Sequence, residues 1–248
     1  MTDRSSFAMR IALCSLLFPT AAQVHAEDWN WSLTPYGWAI GAEVDTGARF
    51  GGAEPIEQDF SDLVDKLDFA AQLHLEVQKD RIGFLLDVTT LSLSDEVTRG
   101  PLQIETDSST TLIEGAVLLG AFERGVGTQV MAGFRSVNLD LDLEIQGLGP
   151  IGGNRQASAD ATLYDAMVGV RHGFALGENW SLTLRGDVAT GDTDFTWNAA
   201  AIAGRSFGDK GALLFGYRYM SVQLDAEGDL LDPELTLYGP VAGYMFRF

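Results

Sequence analysis

Hydrophobic and polar residues alternate strictly along residues 68–78. Apolar side chains occupy the odd positions from Phe69 to Val77, and polar side chains occupy the even positions from Gln72 to Glu76. Because successive side chains of a β-strand point to opposite faces, this spacing predicts a strand with one apolar and one polar face.

The final residues, 238–248, repeat this spacing. Tyr244, Phe246 and Phe248 share one face, and the chain ends on Phe248. A terminal phenylalanine of this kind resembles the recognition signal of bacterial outer-membrane proteins. On the edge strand of a soluble sheet, an exposed aromatic end would instead favour aggregation. We therefore interpret Tyr244, Phe246 and Phe248 as an assembly signal on a membrane-barrel strand.

Ten segments carry strand-like patterns, and the gaps between them alternate between short and long. Each segment reaches the ~9 to 11 residues that a tilted transmembrane strand needs. The pattern predicts an all-β fold: a single antiparallel up-and-down transmembrane β-barrel of about ten strands, with short periplasmic turns and longer extracellular loops. The predicted strands cover residues 29–44, 68–78, 82–93, 110–122, 128–145, 157–175, 180–190, 195–206, 212–224 and 234–248.

Two predicted strands change phase. In the first, Trp31 and Leu33 share one register, whereas Tyr36 and Trp38 fall in the other, which predicts a β-bulge at Pro35. In the fifth, the apolar positions also change register after residue 134. We expect its later part, which carries several acidic residues, to project above the membrane.

The N-terminal residues predict export. Arg4 and Arg10 precede a short apolar run, and an alanine-rich stretch follows it up to Ala26. This organisation is typical of a secretory signal peptide at residues 1–26, followed by a barrel at residues 27–248. The run is too short to cross a bilayer as a helix, which needs roughly 20 residues. The expected location is the outer membrane of a Gram-negative envelope, and loss of Cys14 with the signal would leave no thiol.

The charge of the chain excludes one class of partner. The formal net charge is −19. Removal of the signal peptide, with Asp3, Arg4 and Arg10 together carrying +1, takes it to −20. Such an acidic chain is not expected to bind nucleic acid.

If the apolar faces contact lipid, the opposite faces fill the barrel lumen. A charged side chain in lipid at mid-depth costs about 2–4 kcal/mol for Arg or Lys, so charges are expected inside. One hypothesis is a selective passage, in which a basic ladder faces carboxylates and passes small anionic or zwitterionic solutes. The other is a closed salt-bridge core, because unpaired buried charges are costly. The predicted lumen network comprises His74, Glu76, Asp87, Glu114, Arg135, Arg171, Arg185, Asp187 and Arg218, with Gln72, Asp165 and Arg247 as further lumen residues.

The sequence offers few candidate catalytic residues. After signal cleavage only His74 and His172 would remain, and neither belongs to a motif with a nucleophile. His74 with Glu76 could form a general-base pair, but the same spacing is ordinary lumen filling. The acidic residues of 225–232 lack the spacing of a calcium loop. We therefore predict no enzyme, no catalytic residues, no metal site and no cofactor.

One loop segment has helical character. Residues 61–67 could form a helical turn capped by Ser61. Its apolar side chains, with Phe60, could plug the barrel mouth or form a lid on its rim.

Six sequence blocks carry a resemblance to a known family: residues 33–38, 60–69, 180–187, 194–197 and 216–219, and the final strand. They resemble a family of uncharacterised proteobacterial outer-membrane β-barrel proteins. The resemblance implies a fold and a location, but no activity or catalytic residues. The chain departs from the family pattern at Val188-Ala189-Thr190, where a glycine-rich stretch is expected.

The function expected from these features is a narrow porin-like channel for small solutes or a structural envelope protein. The alternatives are a surface receptor or adhesin acting through its extracellular loops, and a lipid-modifying barrel enzyme. The expected partners are outer-membrane lipid and lipopolysaccharide, the barrel assembly machinery, and small solutes.

Overall fold

A computed structural model describes residues 29–45, 56–58, 61, 66–99, 102–147, 155–224 and 234–248. The predicted signal peptide lies outside the described residues, as do the acidic loop at 225–232 and most of the predicted helical turn. Those expectations remain predictions. None of the described residues forms a helix with the length and apolar character that membrane crossing requires.

Within this described part, ten long strands form a closed antiparallel β-barrel, which confirms the predicted fold class. The strands are β1 (Asn30–Trp38), β2 (Gly41–Asp45), β3 (Ile56–Gln58), β4 (Leu67–Lys79), β5 (Ile82–Arg99), β6 (Leu102–Leu119), β7 (Phe122–Glu123), β8 (Val126–Gly147), β9 (Arg155–Ala175), β10 (Trp180–Gly191), β11 (Phe195–Phe207), β12 (Gly211–Gln223) and β13 (Glu234–Arg247).

Each wall strand pairs with its neighbours along the chain, and β1 pairs with β13 to close the ring. β1 and β2 together form one wall strand, because both pair with β13 in a single register. β3 and β7 are short additions that pair with β2 and β8.

The outer face of the wall is apolar, as contact with lipid requires. Large hydrophobic side chains such as Val130, Phe134, Val168 and Val170 are exposed on alternate positions. Their neighbours in sequence, including Met131 and Arg135, are buried. In a barrel of this size the buried face is the lumen.

The region predicted as a long loop between the third and fourth strands is a hairpin, so that expectation was wrong. β5 and β6 stay paired from Ser94 with Asp107 up to Arg99 with Leu102. The composition becomes polar there while the backbone ladder continues. Hydrophobicity therefore marked where the lipid-facing part of the strands ends, not where the strands end.

The predicted bulge at Pro35 was also wrong. β1 keeps one register against both neighbours, with Pro35 opposite Leu73 on β4 and with Trp38 opposite Val241 on β13. Tyr36 and Trp38, at even positions, point into the lumen, and Trp31, at an odd position, points outward. This is the alternation of one uninterrupted strand. The apolar pattern misled here since two large aromatic residues fill the interior of the barrel.

Candidate functional site in the barrel lumen

The centre of the lumen is crossed by a belt of charged side chains around Arg135. Arg135 on β8 lies opposite Glu114 on β6, and its Nε donates a hydrogen bond of 2.9 Å to Oε1 of Glu114. Its Nη2 donates to Oδ1 of Asp187, from β10, at 2.6 Å. The side chains of all three residues are fully buried. One arginine therefore joins carboxylates from two separate parts of the wall.

Two further arginines complete the belt. Nη2 atoms of Arg185 and Arg218 donate to the other oxygen of Glu114, at 3.3 Å and 3.1 Å. Arg185 also donates from Nε to Asp187 at 2.8 Å, and Arg218 donates from Nε to Asn198 at 2.9 Å. Glu114 thus accepts hydrogen bonds from three arginines, which offsets the cost of burying its charge.

A second pair lies closer to the periplasmic end. Nη1 and Nη2 of Arg171 donate to the two carboxylate oxygens of Glu76 at 2.8 Å and 2.6 Å. Nε of Arg171 donates to Gln129 at 2.9 Å, and the guanidinium lies 4.0 Å from the ring centroid of Phe122. Phe122 thus faces the lumen, where the guanidinium offers its ring a cation–π contact.

His74 extends the second pair toward β5 and β1. Its Nδ1 lies 2.9 Å from Asp87, and its Nε2 lies 3.5 Å from Glu76. Asp87 also accepts a hydrogen bond of 2.7 Å from the hydroxyl of Tyr36. A continuous set of contacts therefore runs from Tyr36 on β1 to Arg171 on β9.

The structure thus places the nine predicted network residues in the lumen as two bonded groups, one around Glu114 and one that runs from Asp87 through His74 and Glu76 to Arg171. The formal charges of the nine residues balance, since four are arginines, four are carboxylates and His74 is the remaining member. The arginines are Arg135, Arg171, Arg185 and Arg218, and the carboxylates are Glu76, Asp87, Glu114 and Asp187.

The three further lumen residues lie apart from this network. The side chain of Gln72 accepts a hydrogen bond from the backbone N–H of Trp38. Asp165 accepts bonds from the backbone and the hydroxyl of Thr193, at 3.0 Å and 2.8 Å, which secures the turn between β10 and β11. Arg247 lines the periplasmic mouth.

An apolar layer lies above the belt, toward the outer end of the barrel. Each of its members sits two positions beyond a belt residue or Tyr36 on the same strand: Trp38, Leu112, Val137 and Met220. Ile40 and Val222 extend this layer. A charged layer and an apolar layer therefore follow one another in the lumen, and a further apolar cluster is buried beside them: Leu85, Ala116, Leu118, Met131, Met167 and Ala189.

Below the belt the lumen is open. A cavity of about 1410 Å³ occupies the periplasmic half, from the tight turns at Lys79-Asp80 and Asp209-Lys210 up to Tyr36 and Arg218. Glu114 and Arg135 do not line it, because they lie within the belt. We call this cavity the vestibule.

Sequence reasoning missed four residues that complete this site. Tyr36 and Trp38 were assigned to the lipid face by their apolar character. Gln129 and Asn198 were overlooked as neutral residues, although each lies on the buried face beside a charged partner. The sequence did contain a signal for Gln129 and Asn198, because both alternate with residues that face lipid.

The predicted assembly-signal residues lie at the periplasmic end of β13. Tyr244 and Phe246 point outward, with ring centroids 4.8 Å apart, and Phe248 is 77% exposed. The backbone N–H of Phe248 donates to the carbonyl of Trp31 at 2.9 Å. Their role in assembly stays a prediction.

The two histidines of the described part make different contacts. His74 contacts carboxylates, and His172 shares a bond of 2.6 Å with the hydroxyl of Thr128 at an exposed position. Within the described ranges no cluster of three or more His, Cys, Asp or Glu side chains could hold a metal ion.

The fold and the lumen define the class of this protein as an outer-membrane-type β-barrel with a charged, filled interior. No protein-family model matches the chain. No curated protein matches it either.

Several solved barrels are similar in structure. The translocator domain of the autotransporter NalP from Neisseria meningitidis is 14% identical, with 89% of this chain and 88% of that chain covered and a TM-score of 0.48. The outer-membrane protease OmpT from Escherichia coli is 10% identical, with 90% and 97% covered and a TM-score of 0.49. Ail, the attachment invasion locus protein of Yersinia pestis, is 10% identical, with 90% and 99% covered and a TM-score of 0.38. Likenesses this distant transfer no activity, ligand or partner to this chain.

Proposed function

We propose that this protein is a structural barrel of the outer membrane whose lumen is closed to free diffusion of solutes. The observation that carries the proposal is the belt around Glu114. Its three arginines reach one carboxylate from β8, β10 and β12, so their side chains occupy the middle of the lumen. The exposed fractions of these arginine side chains are 0%, 15% and 8%.

The apolar layer supports the same proposal. A hydrated ion that passed the belt would next meet Trp38, Leu112 and Met220, all at most 5% exposed. Entry of a charge into such a layer carries a desolvation cost that nothing in the layer offsets. Two layers of different chemistry would have to open for a solute to pass.

Planar-bilayer conductance of the refolded barrel tests this proposal. The wild-type protein should give no reproducible unitary steps. The double variant Glu114→Ala/Arg135→Ala removes two belt side chains and leaves the net charge of the belt unchanged, and it should raise the ion flux. A heat-modifiable gel shift and circular dichroism of both proteins check that each has folded. Reproducible steps from the wild-type barrel would contradict the closed state.

Solute passage is the second candidate, and the vestibule favours it. A cavity of about 1410 Å³ that opens toward the periplasm is larger than side-chain filling alone requires. Under this candidate the wild-type barrel conducts, and Arg185→Ala or Arg218→Ala changes the size of the steps.

We also propose that the protein is not an enzyme. The ring nitrogens of His74 face Asp87 and Glu76, and no hydroxyl of the described residues is hydrogen-bonded to them. A general base needs a nucleophile or a water within reach, and a side-chain nucleophile is not supplied here. Unchanged envelope lipid composition in a His74→Ala strain would support this, and an altered composition would contradict it.

A receptor or adhesin role rests on loops outside the described residues. Loss of ligand or phage attachment on deletion of residues 47–57 would favour it over a structural role. Lipid, lipopolysaccharide and the assembly machinery stay the predicted partners.

A further inference from the structure

The vestibule has a charge that differs in sign from that of the whole chain. Seven of its lining residues are Lys or Arg and five are Asp or Glu. Three of these cations and two of these carboxylates belong to the balanced network, which leaves four cations and three carboxylates around the mouth. The chain as a whole has a formal charge of −19. An excess of cations in a recess with low-dielectric walls attracts anions from the surrounding solution.

Most of the lining charges are paired, but Arg247 is not paired within the described part of the chain. Arg171 is bound to Glu76, and Arg124 is bound to Asp209 at 2.7 Å. Arg247 makes no ion pair with a described residue, and its Nη1 is buried without a hydrogen-bond partner. A buried guanidinium nitrogen without an acceptor is costly, so an acceptor from outside the protein would be stabilising.

Arg124 strengthens this local excess of positive charge. It lies close enough to Arg247 to repel it, and the two arginines share the single nearby carboxylate of Asp209. Lys210 lies next to Asp209 on the same turn and also lines the vestibule. The mouth as a whole is lined by one more cation than carboxylates: the cations are Lys79, Arg124, Lys210 and Arg247, and the carboxylates are Asp80, Glu123 and Asp209.

The closed end of the vestibule offers a second cation. Arg185 uses Nε and Nη2 to hold Asp187 and Glu114. Its Nη1 has no hydrogen bond to a described residue, and its side chain is the most exposed of the three around Glu114, at 15%. Between the two arginines the wall on β10 and β11 carries the hydroxyls of Ser181, Thr183 and Ser206.

We propose that the vestibule is a binding site for a small organic anion that enters from the periplasmic end, with Arg247 and Arg185 as its charged contacts. Guanidinium groups bind carboxylate and phosphate in the same bidentate geometry, so these acid groups define the ligand class. The wall hydroxyls match the polar groups of such a ligand. The ion pair between Arg124 and Asp209 joins the β7–β8 and β11–β12 turns across the mouth, which favours a small molecule over a polymer. The site requires no passage through the belt and exists whether or not the barrel conducts.

Isothermal titration calorimetry of the barrel, refolded in a neutral detergent, tests this site. Citrate and inorganic phosphate serve as the two probes, because they separate the carboxylate and phosphate members of the class. At least one should bind wild-type protein saturably, with an affinity that falls as salt rises. Because the protein is refolded in vitro, the measured binding does not depend on whether the C-terminal residues act as an assembly signal in the cell.

The variant Arg247→Gln should weaken this binding by about tenfold, because a charged hydrogen-bond donor is lost. Arg205→Gln is the matched control. Arg205 lies on the outer wall over the rings of Trp180 and Phe207, so its loss changes net charge equally without touching the vestibule. Absence of saturable binding of either probe to wild type would overturn the proposal, as would equal weakening by the two variants. Arg185→Gln, scored only if it folds, should weaken binding as well, and unchanged binding would remove Arg185 from the site.

Discussion

Arg135 and Glu114 occupy opposed positions on the neighbouring strands β8 and β6, and their side chains meet in the lumen with Nε of Arg135 2.9 Å from Oε1 of Glu114. Both side chains are fully buried. The pair fixes the centre of the belt because Arg185 and Arg218 bind the second oxygen of the same carboxylate.

Replacing this carboxylate should strongly destabilise the barrel. Glu114→Gln leaves three buried arginines facing a neutral amide, and breaking a buried ion pair from one side typically costs about 3–5 kcal/mol. The free energy of unfolding in lipid vesicles, from a urea titration followed by tryptophan fluorescence, measures the effect. Glu178→Gln, at an exposed turn residue, is the control and should leave the midpoint unchanged. An equal midpoint for the two variants would contradict the role given to the belt.

Tyr36 should contribute through its hydroxyl. Tyr36→Phe removes a 2.7 Å hydrogen bond to the buried carboxylate of Asp87, and hydrogen bonds to charged groups contribute about 1.5–3 kcal/mol. We expect a loss of stability in this range by the same urea titration. Tyr164→Phe is the matched control, since Tyr164 is 61% exposed and its hydroxyl makes no hydrogen bond to a described residue. If both variants were as stable as wild type, Tyr36 would not be part of the network.

Gly239 should be essential at the junction where the barrel closes. Its φ of +154° and the close approach of β1 leave no room for a side chain, because a Cβ would lie 1.9 Å from the carbonyl oxygen of Ala39. Gly239→Ala should therefore reduce the folded fraction seen as a heat-modifiable band. Gly186→Ala on β10 is the control, since a Cβ there meets no atom within 4 Å. A normal folded fraction for Gly239→Ala would contradict this prediction, because the backbone at the junction would then be able to move and make room for a side chain.

These residues also indicate how much the sequence could predict. Alternation located the wall strands and assigned Glu114, Arg135 and Asp187 to the lumen, because a charge in lipid is costly. It could not give their partners, since contacts between β6, β8 and β10 depend on register and on barrel shape. Tyr36 and Trp38 were misassigned because a narrow lumen also needs large side chains to fill it, and periodicity cannot distinguish an apolar residue facing lipid from one inside.

The depth of the membrane along the strands can be tested with two arginine substitutions. Val170 is five residues from the end of β9 at Ala175, so at ~3.3 Å per residue and a tilt of ~40° it lies about 13 Å above the periplasmic end, near the middle of an apolar band of ~25 Å. Thr162 is thirteen residues from the same end of β9, about 33 Å along the same axis and beyond this band. Both side chains are exposed, and both lie on the outward register of the strand because they are an even number of residues apart.

Val170→Arg should therefore cost about 2–4 kcal/mol, whereas Thr162→Arg should cost about 0–1 kcal/mol. Unfolding in lipid vesicles measures both free energies under the same conditions. The comparison is matched, because both positions are exposed on the outward register of β9 and receive the same charged residue. Equal costs would mean that the paired upper parts of β8 and β9 lie in lipid, and the barrel would then have to sit higher or more tilted than its apolar surface indicates. A large difference would place the acidic positions Asp140 and Asp142 in water, where their charges need no partner.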